Sequence, residues 1–209
     1  MSNGTQIIKR DGSKEHLNID KIHKVVMHAC EGLAGVSASL IEMNANIQFY
    51  DGMSTQEIQE VLIRSANDLI NLDAPNYQYA AARLLAYTLN KQVFGEFNAI
   101  SFYDMINKNI ERGVYDSSIL EMYTKEEINS LDSYIKHKRD ENFTYAGLRQ
   151  VVDKYLVQDR SSDEIFETPQ FMYMMIAATL FANYPKEDRM YYVRRYYDAT
   201  SLFKVNIPT

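Results

Sequence analysis

Apolar residues recur along this chain mostly at helical spacing, after a short front segment with strand-like alternation. The runs "TQIIKR" and "KEHLN" flank Asp11-Gly12, the dipeptide that best tolerates the positive φ angles of a tight turn, so two short antiparallel strands are predicted. Asn18 has the character of an N-cap. From Ile19 the positions Ile22, Val25, Val26, Ala29, Cys30 and Leu33 keep helical spacing towards a stop at Gly32 or Gly35. "SASLIEMNANIQ" predicts a second, shorter helix, and "FYDG" after it an extra edge strand for the hairpin. A third helix begins at "STQEI", where Ser54 and Glu57 form a capping-box pair, and carries Ile58, Val61, Leu62, Ala66 and Leu69 on one face. A fourth starts after Pro75 and runs through "NYQYAAARLLAYTLNKQVFG" to Gly95. Residues 1–95 therefore read as a small antiparallel sheet capping a compact helical bundle.

Residues 96–209 read as a second, helical region. Between "EFNAISFY" and "KHKRDENF" the periodicity is less sharp, with "KEEINSLDSYI" the clearest segment. A helix near "YAGLRQVVDKY" and a hairpin-like "YLVQDRSSDEIFE" follow. Pro169 opens the helix "TPQFMYMMIAATLFANY" and Pro185 closes it; then comes the helix "KEDRMYYVRRYYDATS". The last run, "LFKVNIPT", is strand-like and has nothing after it to pair with. The expectation is the front of a longer protein, cut where a further domain begins.

Composition narrows the function classes. Hydrophobic residues make up 46% and charged residues 24% of the 209, the balance of a soluble globule. A net charge of -6 argues against a surface built to neutralise nucleic acid, so any phosphate site is small and local. Cys30, the single cysteine, excludes an internal disulfide and a Cys-x-x-Cys zinc or redox motif and suits a reducing cytoplasm; its helical position beside Val26 and Ala29 is that of a buried core residue. "MSNGTQ" lacks the regions of a signal peptide, and the most apolar run, "YMMIAATLF", is far short of the roughly 18 residues of a membrane span. Neither a nucleic acid nor a membrane is expected as a partner.

The candidate chemistry lies at the front. Lys9, Arg10 and Lys21 gather around the hairpin, and the first helix adds free backbone N–H groups and a positive dipole, together an anion site. Taken alone, the same lysines are more readily read as solvated surface charges. Thr55 is by itself a helix-start threonine, and Lys91 a lysine snorkelling off an apolar face. No Walker or Rossmann glycine loop is present, and His16, His23, His28 and His137 have no metal-ligand spacing, so no metal site is expected.

The combination says more than its parts. "KRDGSKEHLNIDKI", then "YDGMSTQEI" and "DAPNYQYAAARLLAYTLNKQVFGEF", resembles the ATP-cone at the N-terminus of the large, catalytic subunit of class I ribonucleoside-diphosphate reductases. The resemblance continues through "YDSSILEMYTKEEI", "YLVQDR", "EIFETPQFMYMMIAATLF", "VRRYYDATS" and "FKVNIPT", and so covers nearly the whole chain.

It implies a mainly α fold, an ATP-cone over 1–95 and a helical region over 96–209 that leads into the first strand of the reductase barrel. It also implies a switch, with ATP activating and dATP inhibiting, each with Mg2+. By matching positions, Lys9 contacts phosphate; Glu15, His16, Leu17, Asn18, Ile19, Asp20 and Lys21 wrap base, sugar and phosphates; Thr55 and Lys91 complete the contacts. Ile22, Ile58 and Tyr87 offer apolar walls. Thr209 matches a residue that contacts the substrate nucleoside diphosphate, while the catalytic cysteines lie beyond it, so the chain alone is expected to be inactive. The implied partners are a small radical-generating subunit and a second large subunit. Since ATP and dATP differ by one hydroxyl, worth about 1 kcal/mol as a hydrogen bond, discrimination has to bias two conformations or assemblies. Two alternatives stand beside this: a helical interaction module with a cone fold that no longer binds nucleotide, and a different reductase class carrying the same cone.

Overall fold

The structure, a computed structural model, describes residues 4–96 and 98–205. The chain is mainly helical with a small sheet at the front, and it packs as two compact units. One runs up to Thr88 and takes in Glu141–Arg149; the other comprises Leu89–Asp140 and the chain from Gln150 onward.

In the first unit, β1 (Gln6–Ile8) pairs antiparallel with β2 (Lys14–His16), with Ile7 opposite Glu15. The turn closes as Lys9 N donates to Ser13 O at 2.8 Å and Gly12 N to Lys9 O at 2.9 Å, with Gly12 at φ 80°. The expected extra strand is present but displaced. Residues 51–52 form a turn, and β3 (Met53–Ser54) follows it, parallel to β1 rather than hairpin-like, giving the order β2-β1-β3. Asp51 sets this up, its Oδ1 accepting from Gln6 N at 2.7 Å while Gly52 N donates to Gln6 O.

Helix α1 (Ile19–Cys30) starts at Asn18, whose side chain accepts from Lys21 N, and buries Val26 and Ala29. It stops at Cys30, with Glu31 as C-cap and Gly32 at φ 70° just after it as the stop glycine, and Leu33 lies beyond. Arg83 accounts for part of that ending, since its guanidinium donates to Glu31 O at 2.7 Å and Ala29 O at 3.3 Å and satisfies carbonyls a helix end leaves open. Cys30 is half-buried rather than a core residue, because this side of α1 is only partly covered. Helix α2 (Ala38–Asn46) turns Ile41 and Ala45 inward. Helix α3 (Thr55–Asn67) has the full capping box of Ser54 and Glu57 and buries Ile58, Val61, Leu62 and Ala66; Leu69 falls past its end. Helix α4 (Tyr77–Phe94) buries Ala80, Ala81, Leu84 and Leu85 within the first unit before running on into the second.

The second unit contains α5 (Phe102–Glu111), α6 (Ser118–Met122), α7 (Lys125–Asp132), part of a 3-10 turn at His137–Asn142, and the C-terminal part of α8 (Tyr145–Lys154). The expected hairpin is β4 (Gln158–Asp159) paired antiparallel with β5 (Glu164–Ile165). Helix α9 (Pro169–Phe181) begins with Pro169 in its first turn and is apolar on nearly every face because it is buried on nearly every face. Helix α10 (Lys186–Ser201) packs along it.

Two polar arrangements hold this unit. Tyr197 accepts from Lys136 N and donates to Gln170 Oε1 at 2.6 Å, and Gln170 Nε2 donates to Asp140 Oδ1 at 2.7 Å, so every member of a buried chain has a partner. Arg189, 3% exposed, donates to both oxygens of Glu127 at 2.5–2.6 Å and lies over the Tyr123 ring at 4.3 Å. Helix α10 ends at Ser201 as its sequence predicts, but Leu202–Val205, the described start of the strand-like run, form turns and bends. The expected barrel strand and Thr209 otherwise lie outside the described residues.

Candidate functional site: the lysine-carboxylate cluster of the N-terminal sheet

The hairpin register brings three charged side chains of the front segment together. Lys9 stands just past β1, and Glu15 on β2 is its diagonal cross-strand neighbour, a separation that long side chains span. The Lys9 ammonium meets Glu15 Oε2 at 2.7 Å, and the Lys21 ammonium, from the first turn of α1, approaches Glu15 Oε1 at 3.8 Å. Each lysine thus engages a different oxygen of one carboxylate. The hydrogen bond from Lys9 holds the Glu15 carboxyl below its ordinary range, and the same bond raises the Lys9 ammonium. Asp11 acts on Lys9 only through space, its Oδ1 being taken by Ser13 N and Oγ, which donate to it at 2.9 and 2.6 Å.

The other candidate residues are positioned by the same backbone. His16 ends β2 opposite Gln6, and Leu17 N donates to Thr5 O at 2.9 Å, which fixes the path into Asn18 and the first-turn residues Ile19 and Asp20. Because Ile8 pairs with Ser54, Lys9 and Thr55 leave the sheet from adjacent positions, Thr55 as the first residue of α3. Ile58 is buried, whereas Ile22 and Tyr87 are half-buried, and burial pushes the Tyr87 phenol up to about 12. Lys91 is a half-buried residue in the last turn of α4, within the second unit, and Thr209 lies outside the described residues.

Two ammonium groups converging on a pair of oxygens suit a phosphoryl group as well as a carboxylate, so these residues fit a polyphosphate. No group of three or more His, Cys, Asp or Glu among the described residues could hold a metal ion. A Mg2+ ion carried by nucleotide phosphates needs no such cage. The bridging role of Glu15 was not read from the sequence, although opposite charges diagonal across a hairpin of known register are a usable signal.

A model of the ATP cone domain matches residues 5–92, and one of the ribonucleotide reductase all-alpha domain matches residues 141–209. The chain thus carries an ATP-cone and the ribonucleotide reductase all-alpha domain. It is 49% identical over its full 209 residues to ribonucleoside-diphosphate reductase 1 subunit alpha of Escherichia coli strain K12, covering 28% of that protein. The alpha subunit of Haemophilus influenzae is 46% identical over the same span, with 28% covered, and that of Enterobacteria phage T4 41% identical over 205 residues, 97% of this chain and 27% of the other. The chain therefore spans little more than a quarter of the length of these relatives. The cone match encloses the lysine-carboxylate cluster and Thr55, and it extends to Lys91.

Proposed function

We propose that this chain is the regulatory front of a ribonucleoside-diphosphate reductase large subunit, in which residues 1–95 bind ATP as activator or dATP as inhibitor with Mg2+ and residues 96–209 lead towards the catalytic barrel. The observation that carries the reading is the convergence of Lys9 and Lys21 on two oxygens of one group, inside the segment matching the ATP cone. In this reading Lys9, Lys21 and Lys91 hold phosphates, Thr55 adds a hydroxyl, and the run from Glu15 wraps the nucleotide, with Glu15 on the phosphate side and His16, Leu17, Asn18, Ile19 and Asp20 around base and sugar. Thr209 would contact the substrate. The parent protein reduces ribonucleoside diphosphates together with a small radical-generating subunit, as a large-subunit dimer in the cytoplasm. No described helix is long and apolar enough to cross a membrane.

Ribose reduction calls for a thiyl radical and a reducing thiol pair. The chain's one thiol, Cys30, is pushed up to about 11, chiefly by burial, so this chain alone turns over no ribonucleotide. Calorimetry with ATP and dATP, with and without Mg2+, tests the reading: both bind, and more tightly with Mg2+. Absence of heat and of any thermal shift at millimolar nucleotide overturns it.

One observation favours the interaction-module reading. Leu40 and Met43 on α2 and Ile47 just past its end follow i, i+3, i+7 spacing and are 46%, 65% and 85% exposed, the character of a docking face. Loss of nucleotide binding with retained association to a small subunit selects that alternative.

A further inference from the structure

We infer that the Glu15 carboxylate is a built-in competitor for the nucleotide's phosphates: it occupies Lys9 and Lys21 together, and a polyphosphate that takes those lysines must first displace it. The inference deepens the nucleotide reading and rests on it.

The geometry is specific to Glu15. Its two oxygens are divided between two lysines from different elements, at 2.7 and 3.8 Å, so it ties the end of β1, the strand β2 and the first turn of α1 into one ion-paired knot that keeps a net positive charge. The neighbouring acids do not share this role. Asp11 is engaged by Ser13, and Asp20 sits in the first turn of α1 with no ion pair to either lysine. Nor is Glu15 buried behind the lysines, since the side chains of Lys9, Glu15 and Lys21 keep 42%, 31% and 69% of their exposure, and an incoming anion can reach both ammonium groups.

Displacement follows from charge and exposure. A triphosphate brings several negative charges against the single charge of Glu15, and exposed ion pairs of this kind are weak, so the carboxylate yields. It nevertheless taxes every binding event by the cost of breaking both contacts. The tax falls on the phosphates alone, and it is therefore the same for ATP, dATP and a bare polyphosphate. Glu15 sets how much nucleotide the site needs, without setting which nucleotide it prefers.

The test is calorimetric titration of the whole chain with inorganic tripolyphosphate, ATP and dATP in low salt without Mg2+, on the parent, Glu15→Gln and Glu31→Gln. Glutamine keeps the side-chain shape and removes the charge. Glu31, 78% exposed just past the far end of α1, controls for the change in net charge. The expected result is that Glu15→Gln binds tripolyphosphate tighter by a factor on the order of five, two weak pairs having been removed, while the ATP-to-dATP ratio stays at its parent value and Glu31→Gln matches the parent. Equal or weaker tripolyphosphate binding by Glu15→Gln, or an equal gain from Glu31→Gln, overturns the inference while leaving the nucleotide reading intact. If none of the three ligands binds the folded parent, the nucleotide reading fails and the inference with it.

Discussion

Replacing Lys9 by alanine removes a charge-assisted donor and leaves Lys21 as the ammonium at Glu15. Hydrogen bonds to charged groups are among the stronger ones, so nucleotide affinity falls about tenfold or more while the helical circular dichroism is unchanged. Lys108 is the matched control. Its ammonium donates to Val93 O at 3.0 Å at the end of α4, and Lys108→Ala leaves nucleotide affinity at the parent value. Glu167 poses a different question. It is 2% exposed, accepts hydrogen bonds from Tyr115 Oη and Val157 N, and its carboxyl is raised above the ordinary value of 4.5 by burial. A raised folded value means that the unfolded chain gives up this proton first. The contribution of Glu167 is thus fully present below that ordinary value and declines as pH climbs from it through the folded value. Urea titrations between pH 4 and 8 show the decline in the parent and a flatter profile in Glu167→Gln; identical profiles would remove Glu167 as its source.

Local signals made most elements legible. Asn18 and the Ser54–Glu57 box announce two helix starts within four residues of sequence, and Pro169 announces a third. Thr124 and Glu127 form a second capping box that the same rule would have found. What stayed hidden depends on distant partners. The two-residue β3 exists because β1 and Asp51 recruit it, and no local pattern marks Met53–Ser54 as a strand, still less a parallel one. Arg189 sits in a run, "KEDRMYY", that looks solvent-facing, and its partners, Glu127 62 residues away and the Tyr123 ring, are what make its burial tolerable. Two predictions belong here. Ser54→Ala removes the acceptor for Glu57 N and lowers stability by about 1 kcal/mol in chemical denaturation. Glu127→Ala costs more, about 3–5 kcal/mol, because it strands a buried guanidinium. A loss no larger than that of Ser54→Ala would mean that solvent reaches Arg189.

At the scale of the chain, the charge cluster is a product of topology rather than of a contiguous motif. Lys9, Glu15 and Lys21 are six residues apart in succession, and a reader of the sequence sees only scattered charges until the hairpin register fixes which of them meet. A bound nucleotide adds stability in proportion to the logarithm of its concentration over its dissociation constant, about 2.7 kcal/mol at a hundredfold excess. On the proposed function, the rise in melting temperature with ATP measures the cluster from outside. Lys9→Ala shrinks that rise and Lys108→Ala preserves it; the opposite pattern would relocate the site.

The first unit is not one stretch of chain: it runs to Thr88, pauses for residues 89–140, and recovers Glu141–Arg149. Arg83 donates to Glu141 O at 3.5 Å, and Leu148 is fully buried. During synthesis, which proceeds at roughly 5–20 residues per second, the lysines and Glu15 leave the ribosome long before the segment that completes their unit. The nascent N-terminus must therefore wait several seconds, its bundle unfinished, until Arg149 emerges. Over that interval the front of the protein stands with part of its packing surface uncovered, before the rest of the chain exists.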